Sequence, residues 1–81
     1  MKFYYCVGKT WVPHLAKEVE APELDKYVMA EEAADDYMNT VGDKAKFPLI
    51  VLISTERHKG GFIGRFIVEK QCHIELFARA V

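Results

Sequence analysis

The first apolar run, Phe3-Tyr4-Tyr5-Cys6-Val7, is aromatic and branched, which favours extended backbone, and it stops at Gly8-Lys9. Glycine suits the first central position of a two-residue turn, so the pattern predicts a strand and a hairpin there. Trp11 and Val12 start the return strand, Pro13 interrupts its donors, and Leu15 to Ala21 alternates loosely with Lys17, Glu18 and Glu20 outward, as on a sheet edge. From Ala30 the period changes. Ala30, Ala33, Ala34, Tyr37, Met38 and Val41 form one helical stripe, and Gly42 stands where a C-terminal cap belongs. The helix is therefore placed at 30–41. Pro22-Glu23 would allow an earlier start, whereas Lys26-Tyr27-Val28-Met29 also reads as extended backbone.

Phe47 to Ile53 is apolar at both odd and even positions, the pattern of a central strand shielded on both faces, with Pro48 at its start. A polar segment from Ser54 to Lys59 leads through Gly60-Gly61, a hairpin signal, into a strand from Phe62 to Val68. Residues 69–81 satisfy two periods. Cys72, Ile74, Leu76, Ala78 and Ala80 alternate as a strand, while Ile74, Phe77, Ala78 and Val81 would line a helix; the strand is preferred.

The order ββαββ predicts an α+β fold. It is a two-layer sandwich in which a mainly antiparallel four-stranded sheet carries one helix across one face, with residues 1–81 as one domain. Tyr4, Ile67 and Phe77 are candidates for the other, uncovered face, where a partner or a second copy would find an apolar patch.

Composition narrows the function classes. Hydrophobic residues are 51% of 81 and ten are aromatic, enough apolar surface to exclude disorder. A chain this short buries only about 60 to 65% of its unfolded surface, which leaves no space for a large internal active site. The net charge of -1 argues against a wholly basic nucleic-acid binder. Two cysteines are too few for a disulfide framework, and no apolar run has the length of a signal-peptide core or a membrane span. The expectation is a cytoplasmic protein with no membrane partner.

Charge is distributed unevenly. Residues 18 to 43 hold nine carboxylates against Lys26 alone, and both flanking segments are basic. Within the helix, Glu31 with Asp35 and Glu32 with Asp36 are like-charged i,i+4 pairs, each destabilising by a few tenths of a kcal/mol, about 0.2–0.5. Their functional reading is an acidic face shown to a protein with a basic surface, joined by Trp11 as a rigid aromatic anchor. The bland reading is a solvated outer face, with Trp11 sealing the core.

The second candidate is the hairpin region 57–65, where Arg57, Lys59 and Arg65, with Lys9, surround glycines and Phe62. Basic side chains beside an aromatic ring suit a phosphate and a stacked base, giving a nucleic-acid-binding alternative. Lys59-Gly60 before Phe62-Ile63-Gly64 is similar to the basic, glycine and aromatic segment of RNA-recognition motifs, but Gly61 displaces the aromatics. Gly61-Phe62-Ile63-Gly64 matches the bare GXXG of KH domains in a strand rather than between helices. Gly8-Lys9-Thr10 lacks the earlier P-loop glycine, Phe3 standing in its place.

Catalysis and metal binding find no pattern. Cys6, Cys72, His14, His58 and His73 show no zinc spacing, and a cysteine nucleophile with a histidine base would have to be assembled in space. The leading expectation is a non-enzymatic protein-interaction module without cofactor or metal, either partnered by another protein or dimeric through its open sheet face. Its brevity, acidic helix and ββαββ layout resemble small accessory proteins of phages and other mobile elements.

Overall fold

A computed structural model describes residues 2–22, 25–42, 45–58, 60–71 and 75–81. The elements run β1 (Lys2–Val7), a short 3-10 turn (Pro13–Leu15), β2 (Lys17–Glu20), α1 (Lys26–Val41), β3 (Leu49–Ser54), β4 (Phe62–Gln71) and β5 (Glu75–Ala80). All five strands form one sheet in the order β2-β1-β3-β4-β5, with every neighbouring pair antiparallel. Among the described residues the protein is thus α+β, with one α-helix and five strands rather than four. The preferred strand near the C-terminus exists as β5, and β4 runs on through Gln71 to pair with it, Gln71 opposite Glu75.

Two other expectations need correction. β1 and β2 pair from Lys2 opposite Glu20 to Tyr5 opposite Lys17, but Gly8-Lys9 does not close a two-residue hairpin. Residues 8–16 make a longer link, and Trp11 and Val12 are not strand residues. Pro13 opens the 3-10 turn at its first position, where a missing donor leaves nothing unsatisfied. The helix, too, starts at Lys26 rather than at residue 30. The Asp25 carboxylate accepts from the Tyr27 amide at 2.9 Å and the Val28 amide at 3.2 Å, two of the donors a helix start leaves orphaned. At the other end Gly42, at φ 62°, donates its N–H to the Met38 carbonyl, as the cap expected there should.

One face of the sheet carries α1. Met29, Ala30, Ala33 and Ala34 are fully buried against Phe3, Tyr5, Val51, Ile53, Phe66 and Val68. Three alanines let the helix approach closely, so the sheet supplies the bulk of this core. The other face is lined by the alternate residues of the same strands: Tyr4 and Cys6 of β1, Ile50, Leu52 and Ser54 of β3, Arg65 and Ile67 of β4. Among the described residues no α-helix covers it. Instead the 8–16 link folds over part of it, where Cys6, Ala16 and Leu52 form a small second core with Tyr4 and Trp11.

Strand β4 also contains an irregularity that decides what the open face displays. Ile53 pairs with Gly64 but Ser54 pairs with Phe62, so Ile63 is an extra residue in the ladder. Strict alternation would put Phe62 on the helix side with Phe66. The bulge moves it to the opposite face, where it is 57% exposed while Phe66 is 1% exposed.

Candidate functional site

The acidic residues of α1 divide into two kinds. Asp35 is exposed and Glu31 and Glu32 are half-buried, all three on the side of the helix away from the sheet and without an ion pair to a described residue. Asp36 behaves differently. Its Oδ2 accepts from the Tyr5 hydroxyl at 2.8 Å and lies 2.9 Å from Lys17 Nζ, which also donates to Thr40 Oγ1 at 2.9 Å. Asp36 therefore ties α1 to β1 and β2, and Lys17 neutralises it. Its place was legible in the spacing, since Met29, Ala33, Asp36 and Thr40 recur at i, i+4, i+7 and i+11 along the flank of the buried stripe. Burial, with Asp36 beside it, pushes the Tyr5 phenol well above the usual tyrosine value.

Trp11 belongs to the other side of the molecule. It is half-buried against Cys6 and Leu52, and its indole Nε1 donates to the Arg57 carbonyl at 2.8 Å, so the ring is held in place. The five residues read as one protein-binding set are thus split, with the acids on α1 and Trp11 across the sheet.

Of the four cations named for nucleic acid, three can be placed. Lys9 and Arg65 are both exposed, form no ion pair with a described residue, and line one depression of about 540 Å3 together with Trp11, Leu52, Phe62 and Val81. Arg57 is used internally. Its Nη1 donates to the Ala16 carbonyl at 2.8 Å and its guanidinium lies 5.2 Å from the Tyr4 ring centroid, which pins the 8–16 link to the loop after β3. Lys59 lies outside the described residues, as do Cys72 and His73.

A second depression, of about 270 Å3, adjoins the first through the shared residues Trp11 and Phe62 and is completed by Ser54, His58 and Gly60. Its rim is a tightly bonded loop. The Thr55 amide donates to the Gly61 carbonyl at 2.9 Å, and Ser54 Oγ donates to the Gly60 carbonyl at 3.0 Å while accepting from the Glu56 amide at 3.2 Å. Gly61 is at φ +65°, and a Cβ there would collide with the Thr55 hydroxyl, so the turn requires glycine.

The potential of this face follows from its pairings. Glu18 is matched by Lys2 at 3.4 Å and Glu69 by Arg79 at 3.0 Å, whereas Lys9 and Arg65, beside exposed Phe62 and Val81, form no ion pair with a described residue, and the Glu56 carboxylate stands by the Gly60 rim. Sequence reasoning named Lys9 and Arg65 together, near Phe62, and Trp11 apart from them, but missed Val81 and the neighbouring pocket. Val81 is drawn in because its amide donates to the Arg65 carbonyl at 3.1 Å, extending the β4–β5 pairing. Of the two uncovered-face candidates with described side chains, Tyr4 and Ile67 both lie on this face, opposite Ser54 and Ile50, and both are half-buried. The side chain of Phe77 lies outside the described residues.

Other chemistry has little to stand on among the described residues. No group of three or more His, Cys, Asp or Glu side chains is placed to hold a metal ion, and no helix is long and apolar enough to cross a membrane. Cys6 is buried, its thiol directed to the Val12 carbonyl at 3.4 Å, and no histidine lines the depression it borders. Compared with protein-family models, curated proteins and solved structures, the chain matches none.

Proposed function

We propose that this chain is a non-enzymatic binding module for single-stranded nucleic acid, which lies across the sheet face opposite α1. The observation that carries this reading is the meeting of Lys9 and Arg65, neither ion-paired to a described residue, with anchored Trp11 and exposed Phe62 in one depression. Aromatic faces take unpaired bases and the cations take the intervening phosphates, a combination that needs no active-site cleft. The outward carboxylates of α1, Glu31, Glu32 and Asp35, lie on the opposite side of the sheet and repel a polyanion from that surface, so net acidity and nucleic-acid binding are compatible.

Fluorescence anisotropy of a labelled single-stranded oligonucleotide tests this. With two phosphates neutralised on single-stranded nucleic acid, the affinity should fall about sevenfold between about 50 and 200 mM salt. Neutralising both Lys9 and Arg65 to alanine should weaken binding and remove most of that salt dependence. Absence of binding at the lower salt, or a slope indifferent to the double substitution, would exclude the reading.

A second reading has its own observation: Glu31, Glu32 and Asp35 face outward with no ion pair to a described residue. Three acids so placed suit a protein with a basic surface. Reversing these three charges should abolish capture of such a partner while leaving oligonucleotide affinity intact. If reversal changes oligonucleotide binding as much as the Lys9 and Arg65 substitutions do, the two surfaces are not independent.

A further inference from the structure

We infer that the smaller depression, between Trp11 and Phe62, receives one unpaired nucleobase, whose phosphate lies in the adjoining depression on Lys9 and Arg65. This inference rests on the nucleic-acid reading and adds to it a defined subsite and a basis for selectivity. Size comes first. At about 270 Å3 the depression falls just below the range of about 300–1,000 Å3 typical of drug-sized ligands, so it holds a ring system and leaves sugar and phosphate outside. The larger depression, which contains both cations, begins where the first ends.

Rigidity comes second. Trp11 is fixed through its indole nitrogen, Ser54 through two hydrogen bonds, and the rim through a glycine that no other residue can replace without collision. A wall fixed in advance loses little freedom when a ring stacks on it. The chemistry of the lining then sets what is recognised. Ser54 Oγ already donates to Gly60 and accepts from Glu56, so its hydroxyl proton is not free to read a base edge, and His58 is the lining side chain whose ring nitrogens can do so. Stacking on Trp11 and Phe62 is available to every base, because every base has a π-face. The subsite should therefore accept every base, with any preference among them set by His58, and should reject duplex, whose bases are already stacked and paired.

Trp11 is the only tryptophan of the chain and lines both depressions, so its fluorescence reports on this face, and quenching that requires the bases marks the smaller depression. The full-length chain would be titrated with three ligands of equal length: a single-stranded oligonucleotide, the same backbone with abasic sites throughout, and the duplex. The intact strand should quench Trp11. The abasic strand should bind roughly 5- to 150-fold more weakly and without quenching, the range that loss of one stacked base implies. Duplex should also fail to quench. Phe62→Ala should lower the affinity of the intact strand more than that of the abasic strand, whereas neutralising Lys9 and Arg65 should weaken both strands in the same proportion. If the intact and abasic strands bind equally and Trp11 stays unquenched, the base subsite is wrong while backbone binding stands. If no oligonucleotide binds at low salt, the parent reading fails and the subsite with it.

Discussion

Phe66→Ala should lower the stability of the fold by about 3–5 kcal/mol, read as a shift of the urea midpoint at unchanged slope. Phe66 is 1% exposed, stands on β4 under the helix, and meets Tyr27 edge-on with ring centroids 5.9 Å apart and planes at 76°. Its removal leaves a cavity that the surrounding β-branched residues fill poorly, and it forfeits an aromatic contact worth about 0.5–1.5 kcal/mol. For a domain of this size total stability is about 4–12 kcal/mol, so the variant should be close to unfolding. Phe62→Ala, four residues earlier on the same strand, should change stability by no more than about 0.5 kcal/mol, since that ring is exposed. Equal losses at the two positions would contradict the bulge at Ile63 that separates their faces.

The second large effect appears in alkali. Desolvation of the buried Tyr5 phenol, reinforced by its hydrogen bond to Asp36 and by the negative charge there, raises its ionisation in the folded state above the unfolded value of about 10. A group raised in this sense stabilises the fold fully below about pH 10, and its contribution is lost as pH climbs beyond that point. The slope from this one proton reaches about 1.4 kcal/mol per pH unit. Tyr5→Phe removes the titration but also a hydrogen bond to a charged acceptor, worth about 1.5–3 kcal/mol at neutral pH. Unfolding free energies of the two proteins should therefore differ at pH 8 and meet about one to two units above pH 10. Curves that stay parallel through pH 12 would mean that Tyr5 ionises freely in the folded protein.

Much of this architecture could be read from periodicity. The alanine stripe of α1, the doubly apolar run that became β3 and the Gly60-Gly61 turn into β4 all express patterns that local physics decides. The failures have identifiable causes. Lys26 to Met29 carries residues of fair strand propensity, and an aspartate cap overrode them. Gly8-Lys9 offered a turn, but the chain continued to a 3-10 turn because the β1–β2 register pairs Tyr5 with Lys17, too far along for a two-residue closure. The strand preferred for residues 69–81 had no place in the ββαββ order, which is why four strands were expected where five are described. The site was legible in part, since Lys9 and Arg65 were grouped around Phe62 but Trp11 was assigned to the acidic face. Lys9, Trp11, Phe62 and Arg65 come from segments far apart in the chain, and it took the β1–β3–β4 pairing and one extra residue at Ile63 to put them together. Asp36 was grouped with the outward acids because its charge drew more notice than its place on the buried flank of the helix.

The central claim is that the two cations and two aromatic rings opposite α1 act as one ligand surface. An amide and indole NMR map of the full chain, titrated with a single-stranded oligonucleotide at low salt, tests it most directly. The account predicts shifts at Lys9, Thr10, the Trp11 indole N–H, Phe62, Gly64, Arg65 and Val81, with Glu31, Glu32 and Asp35 unmoved. Shifts centred on α1, or none anywhere at saturating oligonucleotide, would contradict it.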